Sequence, residues 1–484
     1  MAATRAADSA QLRTDFAQLI DGELLAGAQS HDAIDVINPA TGMVFARAPR
    51  ASRAELDRAV AAARRAFPGW RASSYQQRRD RIGQLAAALR AHRDVLAELL
   101  TREQGKPLSQ ARDEIARAAI QSEGLAAISI ESELLLDDAQ RRIELHYMPL
   151  GVVGIITPWN APINLAAGPL TMALYTGNTA VLKPSPLAPL STLKLGELLR
   201  ELFPAGVVNV LCGDDDCGRW MSEHPDIDKI AFTGSVVSGK RVMASAAATL
   251  KRVTLELGGN DAAIVLDDVD PRAVAPKLFF AACVNSGQVC MAIKRIYAHE
   301  RIHDALCEAL AQEVRKARVG DGMQAATQFG PLQNRAQYER VLELLEDSRR
   351  RGGRIVAGGQ VPAGAGYFVP PTLIADLPDD ARLVREEQFG PLLPLLRFSD
   401  IEDAIRRAND TRYGLAASVW SGDPERARAI ALRLEVGTAW INQHRATAAN
   451  VPFGGVKESG LGRNYSVLGL KANMEAHVIS LLKS

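Results

Sequence analysis

The sequence predicts an α/β protein of two or three domains, built on parallel sheets with helices on both faces. Three observations predict it. A chain of 484 residues exceeds what one hydrophobic core ordinarily serves, so it divides into domains. From Leu150 onward, short apolar runs alternate with helix-length segments, which is the pattern of βαβ units. A second set of the same kind opens with AAIVLDD at Ala262.

The elements follow in chain order. Residues 34–37 and 43–48 flank an NPATG turn and predict a small β start. A long helical zone comes next, in which Ile82, Leu85, Ala86 and Leu89 stand at i, i+3, i+4 and i+7, an amphipathic stripe. Helical character runs on to about Ser132, with a break near Gly105-Lys106-Pro107. LGVVGIIT, TAVLKP, VVNVLC, DKIAFTG and RVTLELGG then predict the strands of one parallel sheet. The second domain begins close to Gly259, with helix-like stretches at 271–284 and 301–318. RRIELHYM at 141–148 and HVISLLK at 477–483 read as strands outside both sheets, pairing between subunits or only with each other. GxGxxG, the usual dinucleotide fingerprint, does not occur, so a dinucleotide must be held by other contacts.

Composition excludes several classes of function. With 57 basic against 56 acidic residues the formal charge is +1, which gives no electrostatic case for a nucleic-acid or membrane-surface partner. Arg349-Arg350-Arg351 reads as solvated surface. The N-terminus lacks the apolar core of a signal peptide, and Asp8 and Asp15 argue against an organellar transit sequence. The longest apolar run, at 150–157, is too short to span a bilayer. Five cysteines are no disulfide framework in a chain of this length; a reduced, cytoplasmic protein is expected.

In an open parallel sheet, ligands collect at the carboxyl ends of the strands. Four strands here end in TPWN (157–160), LKPS (182–185), FTGS (232–235) and LELGGN (255–260). FTGS leads through a glycine turn into a helix start, which presents free backbone N–H groups to a phosphate; Lys183 has the reach for ribose hydroxyls or phosphate. A capped helix start and a solvated lysine are the plain alternatives. Cys290 in NSGQVC follows an apolar helix, with Ser286 and Gly287 as small neighbours suited to a nucleophile on a turn. Against it stands the inert buried cysteine. Glu256 lies at a strand end beside two glycines that leave room for substrate or cofactor. No histidine stands in a pairing motif, and Cys212 and Cys217 are spaced for neither a redox pair nor a zinc site.

The ordered set PWN, LKPS, FTGS, LELGGN, GQVC, EEQFGP and PFGGVKESGLGR resembles the aldehyde dehydrogenase superfamily, over nearly the whole chain. The resemblance implies a Rossmann variant without GxGxxG as the cofactor domain (1–124 and 149–258) and an α/β catalytic domain (259–441). It further implies a strand-based oligomerisation element (125–148 and 465–484) and a returning segment (442–464) that lines a substrate tunnel. Cys290 is similar to the family nucleophile, Glu256 to the general base, and Asn160 with the Cys290 N–H to the oxyanion hole. Trp159, Lys183, Ser185, Gly213, Gly218, Phe232, Gly234, Ser235, Leu257 and Gly258 fall at the cofactor site, with Gln337, Glu387 and Phe389 on the nicotinamide-ribose side. The implied chemistry is NAD(P)-dependent oxidation of an aldehyde through a cysteine thiohemiacetal and thioester, hydrolysed by Glu-activated water, with no metal. A homodimer or homotetramer is expected.

Two departures stand out. Asn464 occupies the place of a second glutamate carried by many members. Pro186 replaces a glutamate common in NAD-preferring members, which leaves NAD favoured and NADP open. Glu256 argues against the CoA-acylating branch, and the three matched catalytic positions argue against an inactive binding relative. Ala161, Asn164, Leu165, Gly168, Val284, Arg445, Thr447 and Phe453 are expected to line the tunnel. Small residues at 161, 168, 284 and 447 imply a wide tunnel, and Arg445 suits a substrate with a distal carboxylate, such as a semialdehyde, if it is not taken up by a surface ion pair.

Overall fold

In the computed structural model, which describes residues 16–27 and 33–483, the chemistry-bearing strand ends all belong to one sheet. That sheet has eight strands. Its centre is five parallel strands, Val152–Ile156, Thr179–Lys183, Val208–Val210, Lys229–Thr233 and Arg252–Glu256. Numbered one to five along the chain, they lie in the spatial order five, four, one, two, three. The order reverses between Val152–Ile156 and Lys229–Thr233, and such a switch point opens a crevice at the carboxyl ends of the strands. Val152–Ile156 and Thr179–Lys183 are buried along their whole length, as expected of parallel strands covered on both faces.

Both edges of this sheet were unread in the sequence. Ala17–Ile20 and Glu23–Ala26 extend one edge antiparallel. Gly460–Leu461 closes the other against Leu255 and Glu256, so part of the returning segment joins the cofactor-side sheet. The reading based on Asp8 and Asp15 lies outside the described residues, as do the first fifteen positions of the cofactor-domain segment.

The helical zone packs on this sheet. Ile82, Leu85, Ala86 and Leu89 are fully buried within Tyr75–Ala91, and each large aliphatic side chain so buried contributes about 1.5–3 kcal/mol. Gly105, at φ 95°, ends the preceding helix, and Leu108–Ala126 follows Pro107. Helix stops there, short of the expected Ser132. Ile128-Ser129-Ile130 has the alternation of extended chain, and the Ile128 carbonyl is taken by the Tyr175 hydroxyl at 2.9 Å.

A second sheet of seven strands begins at Asp261–Val265 and ends at Thr438–Ile441, parallel except at its Arg354–Ala357 edge. The strands read as lying outside both sheets do so: Met474–Leu482 pairs antiparallel with Arg141–Pro149, and Glu133–Asp137 adds a third strand. Leu134, Leu135, Val478, Ile479, Leu481 and Leu482 leave this small sheet with exposed apolar side chains. Among the described residues, no helix is long and apolar enough to cross a membrane.

Candidate active site

Cys290 follows a turn whose backbone is strained. The helix Pro271–Cys283 ends, and Asn285, Ser286 and Gly287 take φ of 53°, 54° and 74°. A left-handed residue costs roughly 1–2 kcal/mol unless it is glycine, and such strain persists only where the surroundings over-determine it. Here they do. The Asn285 N–H donates to Gln110 Oε1 at 3.0 Å, Ser286 Oγ donates to the Gly330 carbonyl at 2.7 Å, and the Gln288 amide donates to the Asn285 carbonyl at 3.0 Å. A Cβ on Gly287 would stand 2.2 Å from the Gly390 carbonyl oxygen. Gly287→Ala is therefore expected to destabilise the protein by about 2–4 kcal/mol and to lower activity; an unchanged melting temperature would contradict this account of the turn.

The nucleophile's own backbone is tied from below. Buried Lys294 donates to the carbonyls of Val289 at 2.8 Å and Cys290 at 2.5 Å, and stands 3.9 Å from Glu387 Oε1. Cys290 keeps some solvent exposure, yet burial pushes its thiol up to about 12 against the opposing charge of Lys294. Burial thus favours the protonated thiol.

Asn160 comes from the crevice. Its Nδ2 donates to the Gln288 carbonyl at 2.9 Å, which leaves the second N–H of the amide beside the nucleophile's loop. Its backbone carbonyl accepts from Asn285 Nδ2 at 3.0 Å and from Lys106 Nζ at 2.8 Å. Lys106 forms a buried ion pair with Glu114. Glu114 Oε1 in turn accepts from the N–H groups of Ile163 and Asn164 at 3.0 and 3.2 Å. The helix Pro162–Tyr175 has no side-chain cap of its own at Ala161, so a carboxylate from another helix stabilises its N-terminus.

Glu114 belongs to a stripe that sequence reading missed. Gln110, Glu114, Arg117, Gln121 and Gly124 recur at helical spacing along Leu108–Ala126. Gln110 holds the nucleophile turn, Glu114 the oxyanion loop, and Gln121 hydrogen-bonds Tyr465. Gly124 lets the returning segment approach, since a Cβ there would lie 2.6 Å from that of Ala449. A polar helix face ordinarily reads as solvated surface, and no spacing signal marks this one, in which Glu114 is buried and Arg117 exposed, as reaching a site.

Glu256 ends its strand with both carboxyl oxygens buried and without a hydrogen-bond partner. Burial holds it well above the usual carboxylate range, with Arg463 pulling the other way. Its Oε1 is turned toward Gly454, where a Cβ would lie 2.9 Å away. Gly259 lets this strand end approach the nucleophile: a Cβ there would meet the Cys290 carbonyl oxygen at 2.6 Å. Glu387 crowds Gly258 and accepts from the Gly259 N–H at 3.0 Å. Phe389 sets its ring against the Trp159 ring at 5.4 Å and 86°. Gln337 spends its amide N–H groups on the Gln388 and Phe389 carbonyls at 2.8 and 3.1 Å, so it shapes this loop.

Across the sheet crevice lies a cleft of about 530 Å³ lined by Lys183, Gly218, Phe232 and Ser238, among others. Ser235 caps the helix Val236–Ala247, its Oγ accepting from the Ser238 N–H at 3.1 Å. Gly234 lies against the Phe232 ring and Leu257 against Gly239. Gly213 packs on Cys217, and Ser185 Oγ accepts from the Leu187 N–H at 3.3 Å. Lys183 is buried, donates to the Pro184 carbonyl at 3.2 Å, and is lowered by burial. Cys212 and Cys217 are buried and free. No cluster of metal-binding side chains occurs among the described residues.

The expected tunnel residues divide. Ala161 precedes the Pro162–Tyr175 helix, Asn164 and Leu165 lie in its first turn and Gly168 at its middle, and Val284 is buried just before the nucleophile turn. Phe453 pairs its backbone with Asn464 in both directions, at 2.9 and 2.8 Å. Thr447 lies exposed on the returning segment. Space at Gly168 is not open: a Cβ there would meet the Tyr465 ring at 3.2 Å and its hydroxyl at 3.5 Å. The expectation of a wide tunnel at that position is corrected, because an aromatic ring from residue 465 fills the room that glycine leaves. Tyr465 was unread; its neighbourhood to Asn464 carried no aromatic signal.

Residues 26–479 match the description "Aldehyde dehydrogenase family". The chain belongs to that family. Aldehyde dehydrogenase LUC3 from a Fusarium species is 36% identical over 472 residues, covering 97% of this chain and 99% of its own. Among solved structures, an E. coli NADP dependent enzyme is 37% identical with TM-score 0.94, covering 97% of this chain and 98% of its own. The NAD+ complex of an aldehyde dehydrogenase from Bacillus cereus is 36% identical with TM-score 0.94, covering 97% of both chains. The mixed α/β architecture expected from the sequence is thus that of solved aldehyde dehydrogenases.

Proposed function

We propose that the chain oxidises an aldehyde to its carboxylic acid, with NAD or NADP as the hydride acceptor and water as the oxygen donor. The observation that carries this reading is an Asn160 amide tied to the Gln288 carbonyl two residues before Cys290, together with a buried, unpartnered Glu256 that acts on the thiol, each from a different strand end. The Cys290 sulfur attacks the aldehyde carbon, and the thiol proton must leave to a base or water. The carbonyl oxygen becomes an anion, which the free N–H of Asn160 and the Cys290 backbone N–H stabilise; one such donor is worth roughly 3–4 kcal/mol of barrier. A bound nicotinamide dinucleotide would supply the acceptor for the hydride that leaves the tetrahedral carbon. A thioester on Cys290 is left, and Glu256, once ionised, takes a proton from the water that hydrolyses it.

The cleft fits such a cofactor. A buried lysine that makes no ion pair, though Asp214 and Asp215 share its cleft, a capped helix start and a crevice at the sheet's switch point suit a dinucleotide phosphate and ribose. Lys183, Gly218 and Phe232 would hold that end, with Glu387, Phe389 and Trp159 toward the nicotinamide. The Bacillus cereus relative binds NAD+ and the E. coli relative is NADP dependent, which supports either coenzyme here. Asn464 has no titratable proton, so Glu256 passes its proton to water. Reduced nicotinamide measured over an aldehyde panel with each coenzyme tests the reading; no reduction with any aldehyde would overturn it.

The small three-stranded sheet supports a homodimer or homotetramer. Its exposed Val478, Ile479, Leu481 and Leu482 on an edge strand suit burial between copies. Light scattering is expected to give an oligomer and Leu481→Lys with Ile479→Lys to weaken it; a wild-type monomer at working concentration would remove the proposal.

A further inference from the structure

We infer that Arg445 and Arg117 form an anion subsite at the tunnel, and that the preferred substrate is an aldehyde bearing a carboxylate at its far end. This rests on the aldehyde-oxidising reading above and goes on to name its substrate class. Arg445 is held in a left-handed conformation, φ 67°, which a long side chain adopts only under constraint. The constraint comes from both sides. His444 Nε2 donates to the carbonyl of Met291, the residue after the nucleophile, at 3.1 Å, and the Trp440 indole N–H donates to the Ala446 carbonyl at 2.9 Å. The strained arginine is thus fixed to the nucleophile's own loop.

Its surroundings give it no counter-ion. Arg445 Nε is buried without a hydrogen-bond partner, and its guanidinium lies 6.0 Å from the Phe280 ring centroid. The titratable groups that act on it are Arg117, Lys106, His444 and the Cys290 thiol. Arg117 comes from the polar stripe of the Leu108–Ala126 helix; its Nε donates only to its own helix, to the Asp113 carbonyl at 3.3 Å. Glu114, on the same helix as Arg117, is already paired with Lys106 and spent on two backbone N–H groups, and Asp261 faces the neighbouring His444 at 3.7 Å. A buried, unpartnered guanidinium that feels a second, exposed one, with an ion pair for neither among the described residues, is an arrangement that an anion relieves, and arginine forks match a carboxylate bidentately. The aldehyde end then reaches Cys290 while the anionic end stays between the arginines.

The experiment compares matched pairs, 4-oxobutanoate with butanal and 5-oxopentanoate with pentanal, in wild type, Arg445→Gln, Arg117→Gln and Arg445→Lys. Wild type is expected to prefer the oxo acids in kcat/KM. Each glutamine variant should raise KM for them roughly ten- to hundredfold, with butanal and pentanal changed less than about threefold. Arg445→Lys should recover part of the loss, because charge survives while the fork does not. Equal losses on both classes would overturn the subsite, and would place the arginines' effect on the thiol instead. A wild-type preference for the plain aldehydes would also overturn it while leaving the aldehyde-oxidising function intact. No turnover of any aldehyde would strike that function itself.

Discussion

Cys290→Ala is expected to abolish aldehyde oxidation, by at least about ten-thousandfold in kcat, while leaving the fold and dinucleotide binding unchanged. The effect is large because no second accessible thiol replaces the nucleophile: Cys283 stands just before the turn but is buried at the end of its helix, and cysteines 212, 217 and 307 are buried elsewhere. Folding should survive, since the strained turn is held by Gln110, Ser286, Gln288 and Lys294 and not by the thiol. Circular dichroism and dinucleotide fluorescence titration check both halves of the expectation. The thiol itself offers a second measurement. Burial raises it to about 12, so the thiolate fraction grows with pH throughout the neutral range. Alkylation of the cofactor-free protein by iodoacetamide should accelerate about tenfold per pH unit near neutrality, without a plateau there. A plateau near pH 7 would mean that a charge partner activates the resting thiol.

The second expectation concerns Glu256→Gln. Acylation should persist and hydrolysis should slow by on the order of a hundred- to ten-thousandfold, giving a burst of reduced cofactor followed by a slow steady state. The direction of the pH effect follows from the carboxyl's environment. Its acid form is favoured by burial, and only the ionised form accepts a proton, so wild-type deacylation rises with pH through that raised value. In the glutamine variant this limb should vanish. Wild-type steady-state rates in the variant, or an unaltered pH limb, would refute the base role.

What could be read from the sequence follows from what leaves a local trace. The five central strands were legible as short apolar runs, and Ile82, Leu85, Ala86 and Leu89 as a helical stripe, because burial on both faces or on one imposes its own pattern. Cys290, Glu256 and Asn160 stood out through family motifs at strand ends. Short antiparallel edges left no trace: Gly460–Leu461 is two residues long and defined wholly by its partner Leu255–Glu256. Nor did the contacts made at great chain distance. Gln110 to Asn285 spans 175 positions, and nothing around either residue announces the other. Gly168 was misread for the same reason, since the ring that fills its space arrives from Tyr465.

The Leu108–Ala126 helix separates two kinds of inheritance. It touches the nucleophile turn, the oxyanion loop, Arg445's surroundings and Tyr465, yet it contributes nothing to the cleft lined by Lys183, Gly218 and Phe232. Nineteen residues of one helix can therefore drift without disturbing coenzyme choice. Grafting that segment between relatives should move the preference for one aldehyde over another as a cassette, while the taste for NAD or NADP stays with the recipient.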